Sequence, residues 1–303
     1  MLDSFTPNQE SSQEATAPEA SRSFTRRNLL ISGAAATLGL AAYSGTHARH
    51  ELDVVRLTIP IANLPDAFHG FRIVQVSDIH LEEYTEAFFL ERVVERINQF
   101  SADLVLMTGD FVSRGPQDRS YAIRAAGRCG EILSRLTCPQ RYAILGNHDV
   151  AVSAPEVTAA SEANGLPVLS DSYVPIERGG SRFWLCGARD PGTLGCSLNA
   201  AVPEKPDGPV ILMAHEPDFV DRVRVHARFP KIDLMLSGHS HGGQVRLPFL
   251  GPIILPPMGK KYVAGHFQFG HMQMYVNRGI GTVGVPFRLN CPPELTELTL
   301  VNA

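Results

Sequence analysis

Five short groups of oxygen and nitrogen donors each stand at the end of an apolar run, and this arrangement limits the chain more than any other feature. The groups are Asp78-Ile-His80, Gly109-Asp110, Gly146-Asn147-His148-Asp149, the single His215, and Gly238-His239-Ser240-His241 followed by Gly242-Gly243. Residues at the carboxyl ends of parallel strands converge on one edge of a sheet from distant points in a chain. A fold that uses these groups together needs strands with the donors in the loops that follow them.

The surrounding pattern supplies such strands. Phe71–Ser77, Asp103–Thr108 and Arg141–Leu145 are apolar runs that feed Asp78, Asp110 and Asn147, with helices expected over Thr85–Phe100 and Asp118–Leu136 between them. Glu51–Ile59 alternates like an edge strand. In the second half, Arg182–Gly187, Pro209–Ala214 and Lys231–Leu236 read as strands and Asp218–Arg228 as a helix. Shorter strands follow at Gln244–Leu247, Met272–Val276 and Leu295–Val301. This rhythm predicts an α/β protein, with helices outside two facing sheets. No linker divides residues 51–303, which read as one domain.

Each donor group has an ordinary explanation when taken alone. Gly-Asp is a turn signal, and a lone His behind a strand is often a core histidine. In order and together they point to metal. Residues two apart on an extended chain share a side, so Asp78 and His80 can reach one ion. The imidazoles of His239 and His241, on a glycine-flanked turn, can face different ions. Two Asp, one Asn and four His, with no Cys, suit two divalent metal ions of the Mn, Fe or Zn type rather than calcium or a structural zinc.

Over 303 residues the formal net charge is −4, which offers no basic footprint, so no nucleic acid is expected as a partner. Five scattered cysteines do not make a disulfide framework. A Cys129–Cys138 bridge and buried free thiols both fit. Residues 1–21 read as a disordered leader rich in Ser, Glu, Gln and Pro. Behind it, Arg26-Arg27 precede an Ala/Gly-rich apolar run to Ala42, so residues 22–48 resemble a twin-arginine signal, with Leu29 where Phe is common and Ile31 where Lys is common. The run of about 14 residues is short for a span of about 20. Cleavage at Thr46-His47-Ala48 and retention as a membrane anchor both stay open. The signal implies the twin-arginine export machinery as a partner, and a location in the periplasm or on the outer face of the cytoplasmic membrane.

With all five groups in place, residues 51–303 resemble a calcineurin-like metallophosphoesterase. The Gly238–Phe249 stretch, Lys261–Gly265, Asn277–Thr282 and Pro286–Leu295 look like its YkuE/YaeI-type subfamily, whose members are exported or membrane-associated phosphodiesterases. The resemblance implies the four-layer α/β/β/α sandwich of the metallophosphoesterase type and a binuclear metal centre. Asp78, His80 and His241 would hold one ion, and Asn147, His215 and His239 the other, with Asp110 bridging. His148 would face the leaving group as general acid or hydrogen-bond donor. Arg114 matches a phosphate-binding arginine, whose planar fork suits two phosphate oxygens.

One position departs from a branch of the family. Ser113 stands where phosphoprotein phosphatases carry the Asp that orients the catalytic His, which leaves Asp149 as a candidate for that task. Arg189 and Arg278 read as structural or exposed. The apolar, Pro-rich Leu247–Met258 segment could receive an acyl chain, rest on a membrane surface, or pack over the sheet. The expected function is a phosphodiesterase acting on phosphodiester or pyrophosphate bonds, with a lipid-linked substrate in view. A UDP-2,3-diacylglucosamine pyrophosphatase-like enzyme and a non-catalytic metal-binding module are the alternatives.

Overall fold

The computed structural model, which describes residues 25–115 and 118–303, shows alternate residues of the same strands serving different cores. In chain order the first strands are β1 (Asp53–Ile61), β2 (Arg72–Val76), β3 (Leu104–Met107), β4 (Arg141–Ala143), β5 (Ser172–Arg178), β6 (Ser181–Gly187) and β7 (Val210–Met213). Then come β8 (Leu234–Ser237), β9 (Arg246–Leu247), β10 (Gly251–Pro252), β11 (Gly265–Phe269), β12 (Met272–Val276) and β13 (Glu294–Asn302). The helices are α1 (Arg26–Ala42), α2 (Ala87–Asn98), α3 (Arg119–Leu133), α4 (Asn147–Ala163), α5 (Leu198–Ala201) and α6 (Val220–Val223). The expected leader at residues 1–21 lies outside the described residues.

One sheet has the order β1-β13-β2-β3-β4 and the other β11-β12-β8-β7-β6-β5. Within them β2, β3 and β4 are parallel, as are β6, β7, β8 and β12. Ile73, Leu104 and Leu106 of the first sheet pack with Leu185, Ile211, Leu234 and Leu236 of the second, filling the space between the sheets. Their neighbours Val74, Val105 and Met107 turn outward onto Leu90, Val93 and Ala125 of α2 and α3. On the far side Val210, Leu212, Met235 and Met274 cover Val220 and Val223 of α6. Strands buried on both faces need unbroken apolar runs, and that is what β3, β7 and β8 are. The layers are α/β/β/α.

Several boundaries differ from the sequence pattern for identifiable reasons. The pattern carries no signal for α4, whose apolar residues do not gather on one face and which is interrupted by extended backbone at Ser153 ahead of Pro155. The helix expected at Asp218–Arg228 shrinks to one 3-10 turn and α6. There the Asp218 carboxylate accepts from the backbone N–H groups of Lys260, Lys261 and Tyr262 at 3.0–3.1 Å and ties down a distant loop instead. The unforeseen β5 and β11 are edge strands, and an edge tolerates the Pro175 that breaks the β5 pattern. All five cysteines are free. Burial pushes the Cys129 thiol upward.

Compact units divide between Leu40 and Ala41. Residues of α1 are exposed throughout, and its apolar residues form no single stripe. The helical stretch continues to His50, giving 25 residues, within which an 18-residue window has a mean hydropathy of 1.3, enough by length and composition alone to cross a bilayer. The apolar run itself ends at Ala42 as expected, and the π turn Tyr43–His47 and the 3-10 turn Ala48–His50 lengthen the helical stretch with mostly polar residues.

Candidate metal centre

Five parallel strands aim their carboxyl ends at one place. Asp78 and His80 follow β2, Asp110 follows β3, and Asn147 opens α4 just beyond β4. From the other sheet, His215 follows β7 while His239 and His241 follow β8. Five of these residues have left-handed backbone: Asp78 (φ 51°), His80 (49°), Asp110 (57°), His239 (69°) and His241 (52°). Such conformations cost about 1–3 kcal/mol each and persist only where the surroundings over-determine them. Gly109 shows how tight the packing is, since a Cβ there would lie 2.6 Å from Gly146 N and 2.7 Å from His215 Nδ1.

Two triads result, Asp78–His80–His241 and Asp110–His215–His239, each with donor atoms within 4.8 Å of one another and each made of buried residues. Asp110 joins them. Its Oδ2 lies 3.5 Å from His80 Nε2 and 3.1 Å from His215 Nε2, so one oxygen reaches a member of each triad. The 3.1 Å approach lacks the geometry of a hydrogen bond, leaving His215 Nε2 without a partner. The Oδ1 of Asn147 is likewise buried and unpartnered. His80 Nε2 and His241 Nε2 face each other at 3.0 Å, and Asp78 Oδ1 is 3.4 Å from His241 Nε2.

Contacts behind the donors set their ring orientation. His215 Nδ1 donates to Thr108 O at 2.7 Å, which leaves the Nε2 lone pair facing Asp110. His239 Nε2 donates to Pro257 O at 2.7 Å, freeing Nδ1 instead. Burial drives the pKa of His80 down to about 3 and of His239 to about 4, so both imidazoles are neutral at pH 7. For Asp110, the upward pull of burial is outweighed by His215 and His148, and the carboxyl falls well below its usual range. Against the pull of burial, Asp110 raises the His215 pKa well above its usual range, so a cation bound there would take the place of that ring's proton. The neutral His80 and His239 and the ionised Asp110 are already in the states that bind one. Among the described residues neither Asp78 nor Asp110 has a Lys or Arg ion pair; both face histidine nitrogens, and a metal would offset their charge there. The donor set therefore fits two divalent ions.

His148 has a different holder from the one expected. Asp149 does not touch its ring. Instead the Asp149 carboxylate, fully buried, accepts from the backbone N–H groups of Asp110, Phe111, Val112 and Gly146 at 2.8–3.2 Å, pinning the Asp110 loop to the start of α4. The backbone N–H of Arg114 donates to His148 Nδ1 at 3.0 Å, which leaves the ring proton on Nε2. Ser113 Oγ, 2.8 Å from His80 Nδ1, positions that imidazole instead of His148. The exposed Arg114 side chain does not line the cavity described next. Arg278 bonds Asp53 and Glu294, and exposed Arg189 bonds Gly195 O, so both are structural.

Two further groups escaped the sequence pattern. Arg288, fully buried, donates to the carbonyls of Arg278, Gly279, Gly281 and Cys291 and binds the loop behind His241. Glu216 lies against Asp190, and burial followed by that neighbour pushes its pKa up to about 8. Arg288 was visible only as part of a family-like stretch, and Glu216 only as a neighbour of His215. Above the triads a cavity of about 520 Å³ is floored by Asp110, Asn147, His148, His239 and His241 and walled by Val245, Ile253, Ile254, Pro256, Val283 and Val285.

The calcineurin-like phosphoesterase family matches residues 71–243, a span that holds every donor named above. The chain is similar to the Bacillus subtilis metallophosphoesterase YkuE, 33% identical over 89% of this chain and 93% of that one. It is similar to the Escherichia coli phosphodiesterase YaeI, 32% identical over 80% of this chain and 86% of that one. A third relative is the Chlamydia trachomatis UDP-2,3-diacylglucosamine pyrophosphatase LpxG, 28% identical over 81% of this chain and 89% of that one.

Proposed function

Because the chain belongs to the calcineurin-like phosphoesterase family and carries a metal-dependent hydrolase site, we propose that it hydrolyses phosphodiester or pyrophosphate bonds outside the cytoplasmic membrane. The observation that carries this reading is Asp110 Oδ2, placed between the two triads. Asp78, His80 and His241 would hold one ion, and Asn147, His215 and His239 the other, with Asp110 shared. When bound, two such ions supply a nucleophile at neutral pH and offset the charge of the phosphoryl oxygens.

The chain's own residues do the rest. Asp149 and the glycines hold the donor loops so that little reorganisation accompanies the reaction. His148, with Nδ1 already accepting from Arg114, offers Nε2–H to the departing ester oxygen. Full protonation of the ring would set a second N–H against the Arg114 N–H, so the geometry favours hydrogen-bond donation over transfer of a proton from imidazolium. Arg114 lies at the rim, where its side chain could meet a phosphate only by swinging inward. A diester rather than a monoester is supported by the open apolar side of the cavity, which has room for a second ester group, and by the similarity to YaeI. The apolar walls favour a lipid-linked group there.

Arg26-Arg27 at the start of an exposed helix that is otherwise mostly apolar support export by the twin-arginine route, with residues 51–303 as the catalytic domain. A second reading, cleavage of a UDP-diacylglucosamine-type pyrophosphate, is favoured by the similarity to LpxG together with the apolar walls. A cytoplasmic location of the catalytic domain, read by a compartment-specific reporter, would select it. The main reading is tested by hydrolysis of bis-p-nitrophenyl phosphate with Mn²⁺, beside Asn147→Ala and His148→Ala variants. Metal-dependent turnover that both variants lose supports it. Absence of metal-dependent turnover on diesters, monoesters and pyrophosphates alike would leave a non-catalytic metal-binding module.

A further inference from the structure

The stretch that a signal peptidase would have to cut is part of the folded domain. Ser44 is 4% exposed and Ala48 7%. The Ser44 carbonyl accepts from Arg288 N at 3.1 Å, and the Gly45 backbone sits so close to Phe287 that a Cβ would lie 3.0 Å from its ring. On the other side Arg49 pairs with Glu86, and His50 Nε2 meets the same carboxylate at 2.9 Å. Peptidases bind extended, accessible chain, and this segment is helical and packed at both ends.

The same contacts fix where the chain leaves the domain toward its apolar helix. Phe287 is two residues beyond Val285, and Val283 and Val285 wall the cavity over the triads. Ser44 lies only two residues past Ala42, a distance of at most about 7 Å even in extended chain. The 43–50 segment and the cavity wall therefore share one loop, residues 283–288. On that wall Ile254 is 79% exposed and Val285 46%, and the β9–β10 turn just ahead of Ile253 carries Phe249, fully exposed, and Leu250 at 80%. An exposed apolar patch of this kind is the form of an interfacial surface.

We propose that residues 43–50 form a fixed collar that is kept rather than cleaved, and that the mouth of the apolar cavity rests on a bilayer surface. The hydrocarbon chain of a lipid phosphoester then passes from the membrane along Ile253, Ile254 and Val285, with its phosphate over the triads. This substrate class rests on the phosphoesterase reading given above; the collar and the membrane contact do not.

The test uses the full chain, purified from membranes and reconstituted in phosphatidylethanolamine–phosphatidylglycerol vesicles. Intact mass should show residues 26–50 retained. Emission of a Phe249→Trp variant should be quenched by brominated lipid in the vesicles, beyond the quenching of Trp184 alone. With hexadecyl p-nitrophenyl phosphate in the bilayer, Phe249→Ser/Leu250→Ser should lose about tenfold in turnover while keeping that of soluble bis-p-nitrophenyl phosphate. A mature chain beginning near Arg49 in the soluble fraction would overturn the proposal, as would a Phe249→Trp variant quenched no more than the unmodified protein. So would equal loss on both substrates, or a dimer in detergent that the double variant dissolves without any change in vesicle turnover. No hydrolysis of either substrate by the unmodified protein would sink the phosphodiesterase reading while mass and quenching still judged the collar.

Discussion

The floor and the apolar wall of the cavity are built in opposite ways. On the floor, Asp78, His80, Asp110, His239 and His241 hold costly left-handed backbone and are at most 7% exposed. Hydrogen bonds from distant parts of the chain fix the loops behind them, among them the four backbone donors on Asp149. Along the wall, Ile253 and Ile254 are 57% and 79% exposed, and the loop that carries them is pinned mainly by the short β9–β10 pair and one Ile253 N to Val245 O bond at 3.1 Å. A rigid floor holds reacting groups within tight tolerances, whereas a loose wall can adapt to a substrate's shape. Chemistry and selectivity should thus be separable by mutation.

The largest effects should fall on the floor and ignore the substrate. Asp110→Ala removes the carboxylate shared by both triads, and kcat is expected to drop by at least about 10³-fold on soluble and long-chain diesters alike. A loss confined to one substrate would break the division. His148→Ala should cost about 10²-fold or more in kcat while metal content, measured by inductively coupled plasma mass spectrometry, stays at the unmodified level. Lost metal there would turn His148 into a ligand. Next comes Ser113→Ala, which frees the His80 ring and should weaken metal affinity by about 10–100-fold in a chelator competition. The smallest effect belongs to the wall. Ile254→Ser should lower the ratio of kcat/KM for hexadecyl p-nitrophenyl phosphate to that for bis-p-nitrophenyl phosphate by about tenfold. An unchanged ratio would mean the wall plays no part in selection.

This same division marks what the sequence could and could not convey. Asp78, His80, Asp110, His215, His239 and His241 were legible because each follows an apolar run, and strands buried on both faces announce themselves by composition alone. The four-layer order followed from the alternation of strands and helices together with the family resemblance. What stayed hidden depends on contacts between residues far apart in the chain. Nothing local says that the Arg114 N–H would meet His148, or that Asp149 would serve the Asp110 loop and not its neighbour. The collar was hidden for the same reason. Nothing in Thr46-His47-Ala48 itself shows that Arg288 and Phe287, some 240 residues on, pack against the neighbouring Ser44 and Gly45.

The floor's shared carboxylate is best tested by counting ions against turnover. Metal-free protein is titrated with Mn²⁺, with bound metal and bis-p-nitrophenyl phosphate hydrolysis followed in the same samples. Two ions per chain should bind, with turnover rising chiefly as the second fills, and Asp110→Ala should lose both the second ion and the activity. Full turnover with a single ion, or two ions bound normally by Asp110→Ala, would contradict a bridged pair.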